Sequence, residues 1–191
     1  MRKITGLLLA AGSSRRFGSN KLVHPLSGGD AIAHVSARNL LGATDEVIAV
    51  VRPEDQKIKQ ALSLPGIQLV ENPRAYEGMS TGIAAGIQAS SDADGWVIAL
   101  ADMPWVTPET IRLLVEALKH GSEIVVPEYG GKRGNPVGFA SKWKDALCSL
   151  SGDKGARELI KSHASEVMRI SVNDEGVLRD IDVLEDIINA N

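Results

Sequence analysis

Cysteine is nearly absent from this chain: Cys148 is the single example among 191 residues. No intramolecular disulfide can form, and such usage fits a reducing compartment, so a cytoplasmic protein is expected. Cys148 itself falls in a short helical pattern and reads as a core residue. Long hydrophobic runs are missing as well. No apolar stretch approaches the ~18 residues a membrane-spanning helix needs. There is no block of like charge either, since 21 Lys and Arg face 24 Asp and Glu for a formal net charge of −3. That balance argues against a nucleic-acid surface, and neither nucleic acid nor membrane is expected as a partner. His24, His34, His120 and His163 lack metal-ligand spacing and read as structural or surface groups. Internal repeats, low-complexity tracts and obvious linkers are all lacking.

What is present is the composition of an ordinary globular protein, 43% hydrophobic and 24% charged. The length suits one well-buried domain. The opening MRKITGLLLAAG has the basic start and short apolar run of a signal peptide, but leads straight into Gly12-Ser13-Ser14-Arg15-Arg16, which does not resemble a cleavage region. A buried first strand at Ile4–Leu9 is the better reading. From there a rhythm repeats: a short apolar run, a glycine or polar loop, then an amphipathic stretch. Asp30 can cap a helix over Ala31–Leu41 that stops at Gly42. Val47–Val51 reads as a strand, Glu54–Leu62 as a helix, and Ile67–Val70 as a strand. Ser80 or Thr81 opens a helix to about Ala89, and Trp96–Leu100 is again a strand.

The clearest helix follows. Thr107 suits its N-cap and Pro108 its first position, and Ile111, Leu114, Val115 and Leu118 fall on one face. Gly121 ends it. Beyond Pro127 the rhythm changes: Asn135–Ala140, Val167–Val172 and Val177–Ile181 look extended, Lys142–Leu150 and Ala156–Ser162 look helical, and a short helix starts near Leu184. Strands apolar on both sides and alternating with helices predict a mostly parallel, Rossmann-like sheet covered on both faces, a three-layer α/β/α domain.

Ligands of such sheets bind beyond the carboxyl ends of the strands, and three stretches there are chemically unusual. Leu9-Ala10-Ala11-Gly12-Ser13-Ser14-Arg15-Arg16-Phe17-Gly18-Ser19-Asn20-Lys21 gathers small residues, hydroxyls, two arginines and a lysine. Its small residues let backbone N–H groups approach phosphate oxygens, Arg15 can fork two of them, and Lys21 adds a point charge. The spacing matches neither a Walker A loop nor a dinucleotide fingerprint. It reads as a phosphate site or as a solvated basic loop. Asp102, in Leu100-Ala101-Asp102-Met103-Pro104, stands where a metal or ribose ligand would, or serves as a turn aspartate. Asp180 and Asp182 would point the same way along an extended run, so one could join Asp102 at a metal; exposure to solvent is the other reading.

Together these stretches resemble a known family. LLLAAGSSRRFGSNK is similar to the L-A-[AG]-G-x-S-x-R-x-G-x-x-K signature of the MobA-like NTP transferase superfamily. EGMSTGI at Glu77–Ile83, LADMP at Leu100–Pro104, GKRGNPV at Gly131–Val137, GDKGAR at Gly152–Arg157 and DID at Asp180–Asp182 follow in order, with spacing that resembles the molybdenum cofactor cytidylyltransferase (MocA-like) branch. The resemblance covers essentially the whole chain. It implies a fold of the nucleotide-diphospho-sugar transferase type, with a nucleotide-binding half at about 1–105 and an acceptor-binding half at about 106–191. It also implies Mg²⁺-dependent transfer of CMP from CTP to the terminal phosphate of molybdopterin, releasing pyrophosphate, with a molybdoenzyme as a further partner.

By the same resemblance Leu9, Ala10, Ala11, Gly12, Ser13, Ser14, Gly78 and Ser80 contact the nucleotide. Arg15 and Lys21 meet its phosphates and, with Asp102, carry catalysis. Asp102 and Asp182 hold the metal, and Arg133, Asn135, Pro136, Asp153 and Arg157 form the acceptor pocket. Ala10-Ala11-Gly12 favours CTP, because guanylyl-transferring relatives usually carry A-G-G there. Gly82 replaces an expected serine, and Val183-Leu184-Glu185-Asp186 stands where T-P-E-D is usual. Other readings are a transferase acting on a sugar or polyol phosphate, a GTP-dependent relative, and a non-catalytic nucleotide- or cofactor-binding chaperone.

Overall fold

Successive side chains of a strand point to opposite faces of a sheet, so a strand apolar throughout must be covered on both sides. The computed structural model, which describes residues 2–12 and 20–188, shows this arrangement. The strands are β1 (Ile4–Leu9), β2 (Glu46–Val51), β3 (Ile67–Glu71), β4 (Gly95–Leu100), β5 (Ile124–Tyr129), β6 (Lys132–Arg133), β7 (Val137–Ala140) and β8 (Val167–Ser171). They form one eight-stranded sheet in the order β3-β2-β1-β4-β7-β5-β6, with β8 also paired to β5. β1, β2, β3 and β4 are mutually parallel and β8 runs parallel to β5, whereas β7 is antiparallel to both β4 and β5.

The alternation sorts the core into two clusters. Leu8, Val47, Ala49, Val51, Val97 and Val125 face α1 (Ile32–Leu41), α2 (Gln56–Ala61) and α4 (Pro108–Lys119). Leu7, Ile48, Val50, Trp96, Ile98, Val126 and Phe139 face α3 (Met79–Ala89), α5 (Lys144–Cys148) and α6 (Arg157–Ser162). The chain is therefore a single three-layer α/β/α domain with a mostly parallel sheet. Close contact fixes α3: a Cβ added at Gly86 would lie 2.0 Å from Leu7 Cδ1 of β1. No helix among the described residues is long and apolar enough to cross a membrane.

Several elements depart from the sequence reading. α1 begins at Ile32 with Ala31 at its N-cap, because the Asp30 carboxylate pairs with Arg38 at 3.0 Å. α2 starts later than Glu54, where the Asp55 side chain accepts from Ile58 N–H. α3 opens at Met79, putting Ser80 and Thr81 inside its first turn. β5 was not foreseen. Pro127 interrupts its apolar run as a sequence feature, yet its carbonyl accepts from Gly134 N–H at 2.8 Å and the strand continues. The Lys142–Leu150 stretch divides into a 3-10 turn at Ser141–Trp143 and α5. Val177–Ile181 is not extended. A 3-10 turn occupies Glu175–Leu178, with the Asp174 side chain accepting from Gly176 N–H, and irregular backbone follows up to α7 (Leu184–Ile188). The alternation argument for Asp180 and Asp182 fails with it.

Candidate functional site

β2 and β4 flank β1 on opposite sides, so the direction in which strands are added reverses between β1 and β4. A crevice opens at such a switch point, outside the carboxyl ends of the strands. The terminal residues Leu9 and Leu100 pair across it. Ala11 and Gly12 follow β1, Arg52 follows β2, Asn72 follows β3 and Asp102 follows β4, and all line one cleft of about 570 Å³. α3 supplies the remaining wall through Gly78, Met79 and Gly82, with Tyr76, 83% exposed, at the mouth.

Hydrogen bonds make the rim rigid. Arg52 Nε donates to Ala11 O at 2.8 Å, setting the path of the first loop. Ser36 Oγ donates to Ala101 O, and Asn39 Nδ2 donates to both Pro104 O and Val106 O, so α1 holds the loop that carries Asp102. Gly78 has φ of +121°, a backbone region costly for other residues. It also sits against the turn at Gly152–Lys154, where an added Cβ would lie 2.5 Å from Gly152 C. That close approach brings Asp153 into the same cleft.

Lys21 is the electrostatic centre. It lies on a 3-10 turn, Lys21–Val23, capped by the Asn20 side chain and anchored by buried Leu22. Its Nζ stands 2.8 Å from Asp102 Oδ2 and 3.3 Å from Asp182 Oδ1, and donates to Ile181 O at 2.5 Å. Burial lowers the lysine pKa, but the hydrogen bonds and charges of Asp102 and Asp182 outweigh it, and the net shift is upward. Asp182 is oriented by its neighbour: Asp186 Oδ2 accepts from the N–H groups of Asp182 and Val183. Ile181 N–H donates to Asp102 O at 2.9 Å, tying this final strap to the β4 loop. Asp180 is exposed as a residue. Even so, atoms packed near its carboxyl, and then the charges of Asp102 and Asp182, push its pKa upward. Among the described residues no group of three or more His, Cys, Asp or Glu is arranged to hold a metal.

A second cavity of about 240 Å³ adjoins the cleft and shares Leu9, Met79 and Leu100 with it. Because β7 is antiparallel, it presents its amino end at this edge, and Asn135 just before it lines the cavity with Arg133 and Arg157. The floor is apolar, made by Ile83, Ile98, Val137 and Ile160. Burial, and then repulsion from Arg157 and Arg169, lower the Arg133 pKa. Arg169 has Glu128 at 2.8 Å. No hydrogen bond or ion pair joins the Arg133 or Arg157 side chain to another described residue. Two cations that make no ion pair among the described residues suit an anionic group.

Of the residues predicted from sequence, Leu9, Ala11, Gly12, Gly78, Asp102 and Asp153 line the cleft, Lys21 and Asp182 meet Asp102 at its edge, and Arg133, Asn135 and Arg157 line the second cavity. Three are placed elsewhere. Ala10 is buried and its N–H donates to Val50 O, so it serves the sheet. Ser80 is buried within α3. Pro136, joined to Asn135 by a cis peptide bond, lines a small crevice on the α1 side of the sheet. Ser13, Ser14 and Arg15 lie outside the described residues. Sequence reasoning missed Arg52, Asn72, Tyr76 and Met79. Applying the strand-end rule to β2 and β3 as well as β1 and β4 would have found the first two. The serine missing at Gly82 is no steric matter, since a Cβ there would meet nothing closer than 3.6 Å.

Residues 6–167 match the MobA-like NTP transferase domain. The chain belongs to this family. Relatives of this transferase include the purine catabolism protein PucB of Bacillus subtilis, 34% identical over 96% of this chain and 93% of PucB. A probable molybdenum cofactor guanylyltransferase of Bacillus cereus is 28% identical over 70% of this chain and 66% of its own length. The crystal structure of Rv0371c from Mycobacterium tuberculosis H37Rv superposes with a TM-score of 0.86 at 27% identity, covering 99% of this chain and 97% of that one. A manganese complex of the same mycobacterial protein gives 0.80 at 26% identity, over 98% of this chain and 97% of the other. The transferase is accordingly a nucleotidyltransferase in activity as well as in fold.

Proposed function

We propose that this nucleotidyltransferase moves CMP from CTP onto the terminal phosphate of a molybdopterin-type acceptor and releases pyrophosphate. One observation carries the reading: Lys21 and Asp102 meet at 2.8 Å on the rim of a nucleotide-sized cleft that runs into a cavity carrying Arg133 and Arg157. In this reading the first loop and Lys21 take the triphosphate, and the two arginines take the acceptor phosphate. An acceptor phosphate has a second pKa near ~6 and is largely a dianion at neutral pH. Its oxygen attacks the α-phosphorus in line, forming one P–O bond while the bond to pyrophosphate breaks, and no protein base is needed. Among the described residues no histidine lines either cavity, which agrees with that. Lys21 offsets the charge that grows on the departing pyrophosphate, and Leu9, Met79 and Leu100, which line both cavities, limit water at the reacting centre. In this reading the nucleotide half is about 1–105 and the acceptor half about 106–191.

The donor set suits Mg²⁺, which is commonly held by one or two carboxylates together with substrate phosphates. Asp102 and Asp182 both face the Lys21 ammonium, so the pair already accommodates a cation. These two side chains would hold the metal; when bound it supplies Lewis-acid neutralisation of phosphate charge. Pyrophosphate release with each NTP, with and without molybdopterin, tests the whole reading. CTP with molybdopterin should give the fastest release. Faster release with GTP would move the protein to the guanylyl side, and release only with a sugar or polyol phosphate would change the acceptor. No release with any pair would leave a binding protein.

A further inference from the structure

The Asp102–Asp182 pair is not bare: a lysine from a different part of the chain is already seated between the two carboxylates. Among the described residues, oxygens of Asp102, Asp182 and Ile181 lie against the Lys21 ammonium, Asp102 Oδ2 at 2.8 Å, Asp182 Oδ1 at 3.3 Å and Ile181 O at 2.5 Å. The lysine side chain is only 12% exposed, so its head group is fixed rather than sampling solvent. The backbone that carries each carboxylate is fixed as well. Asp102 is held through the Ile181 N–H to Asp102 O bond, and Asp182 through Asp186, which accepts from its N–H. Two carboxylates can hardly welcome a divalent ion while an ammonium stands in hydrogen-bond contact with both.

We propose that Lys21 blocks divalent metal from the Asp102–Asp182 pair in the nucleotide-free protein and yields the pair when an incoming triphosphate draws its ammonium away. This rests on the assignment of the pair as metal ligands made above. Its consequence is thermodynamic coupling: the factor by which nucleotide tightens metal binding equals the factor by which metal tightens nucleotide binding. Lys21 thereby has two roles separated in time, as the resident cation before binding and as a phosphate ligand afterwards. Metal then arrives with the nucleotide rather than waiting in the site.

The test reads metal binding, not turnover. Mn²⁺ is titrated into nucleotide-free protein, and free Mn²⁺ is followed by electron paramagnetic resonance. Wild type should bind Mn²⁺ weakly, and Lys21→Met should bind it at least about tenfold tighter. Lys21→Arg, which retains the cation, should stay close to wild type. Lys21→Gln removes the charge with less change in polarity and carries the same expectation as Lys21→Met, should the latter fail to fold. The Lys21→Met, Asp102→Asn double variant should lose the gain. Equal or weaker Mn²⁺ binding by Lys21→Met and Lys21→Gln, with binding still dependent on Asp102, overturns the blocking role alone. Unchanged tight binding in the double variant overturns the metal assignment and the blocking role together.

Discussion

Asp102 and Asp182 contact the same lysine, yet their neighbourhoods differ. Asp102 is 24% exposed and its loop is pinned by Ser36 and Asn39, whereas Asp182 is 52% exposed on an irregular strap. Asp102→Asn keeps the shape and most of the packing, so the fold should survive while kcat collapses. Retention of more than about a tenth of wild-type kcat, equivalent to about 1.4 kcal/mol of barrier, would remove Asp102 from the chemistry. Asp182→Ala should raise the Mg²⁺ concentration for half-maximal rate and lower kcat, and Asp180→Ala should change both much less. A plot of rate against Mg²⁺ for the two variants checks this, and a larger shift for Asp180→Ala reverses the assignment. Lys21 and Asp102 were singled out in the sequence because one closes a loop rich in small residues, hydroxyls and cations, and the other stands just past a buried strand. Arg52 and Asn72 occupy the same kind of position, but the loops around them have no unusual composition, so nothing drew attention to them. Strand geometry could not choose between Asp180 and Asp182, since the choice depends on the backbone path beyond Leu178, and only the resemblance favoured Asp182.

At the level of elements, two contacts hold the site together across long stretches of chain. Asp174 is buried and accepts four hydrogen bonds, from Thr107 N–H, Thr107 Oγ1, Thr110 Oγ1 and Gly176 N–H. It joins the start of α4 to the turn that leads into the Asp182 strap. Asp174→Ala leaves several donors without an acceptor, and a loss of roughly 2–4 kcal/mol is expected by urea denaturation. A rise in the Mg²⁺ requirement should accompany it as the strap loosens. Gly78 joins the start of α3 to the Gly152–Lys154 turn, and Gly78→Ala meets both a positive φ and a backbone clash. That change should cost at least about 1–3 kcal/mol and weaken the acceptor KM through the displaced Asp153 turn. The sequence had already located the helix at Pro108, because capping, proline and an apolar stripe agree there. It misjudged Val177–Ile181, whose β-branched residues look extended until Asp174 caps them into a 3-10 turn. It passed over β5 because Pro127 suggested a break, and only pairing with β7 and β8 shows why the strand persists.

Over the whole molecule, the three-layer arrangement was readable because β2 and β4 are apolar on both faces and a parallel sheet needs helices on each side. The antiparallel β7, and with it the second cavity, was not readable, since strand direction depends on contacts far apart in sequence. The nucleotide preference can be examined on the intact protein through ligand stabilisation. In Mg²⁺, CTP should raise the melting temperature more than GTP at equal concentration, and the reverse order would sink the cytidylyl assignment.

The seating of Gly86 on Leu7 bears on how substrates come and go. With no room for even one carbon between Gly86 of α3 and Leu7 of β1, the wall that carries Gly78, Met79 and Gly82 is expected to act as a stationary jaw. Any opening and closing falls to the opposite jaw, the Lys21 turn and the strap through Asp182. Hydrogen exchange should therefore find the α3 amides slow with or without nucleotide. Amides of residues 21–23 and 181–183 should slow markedly once nucleotide is bound, and uniform slowing across both jaws would show that α3 moves after all.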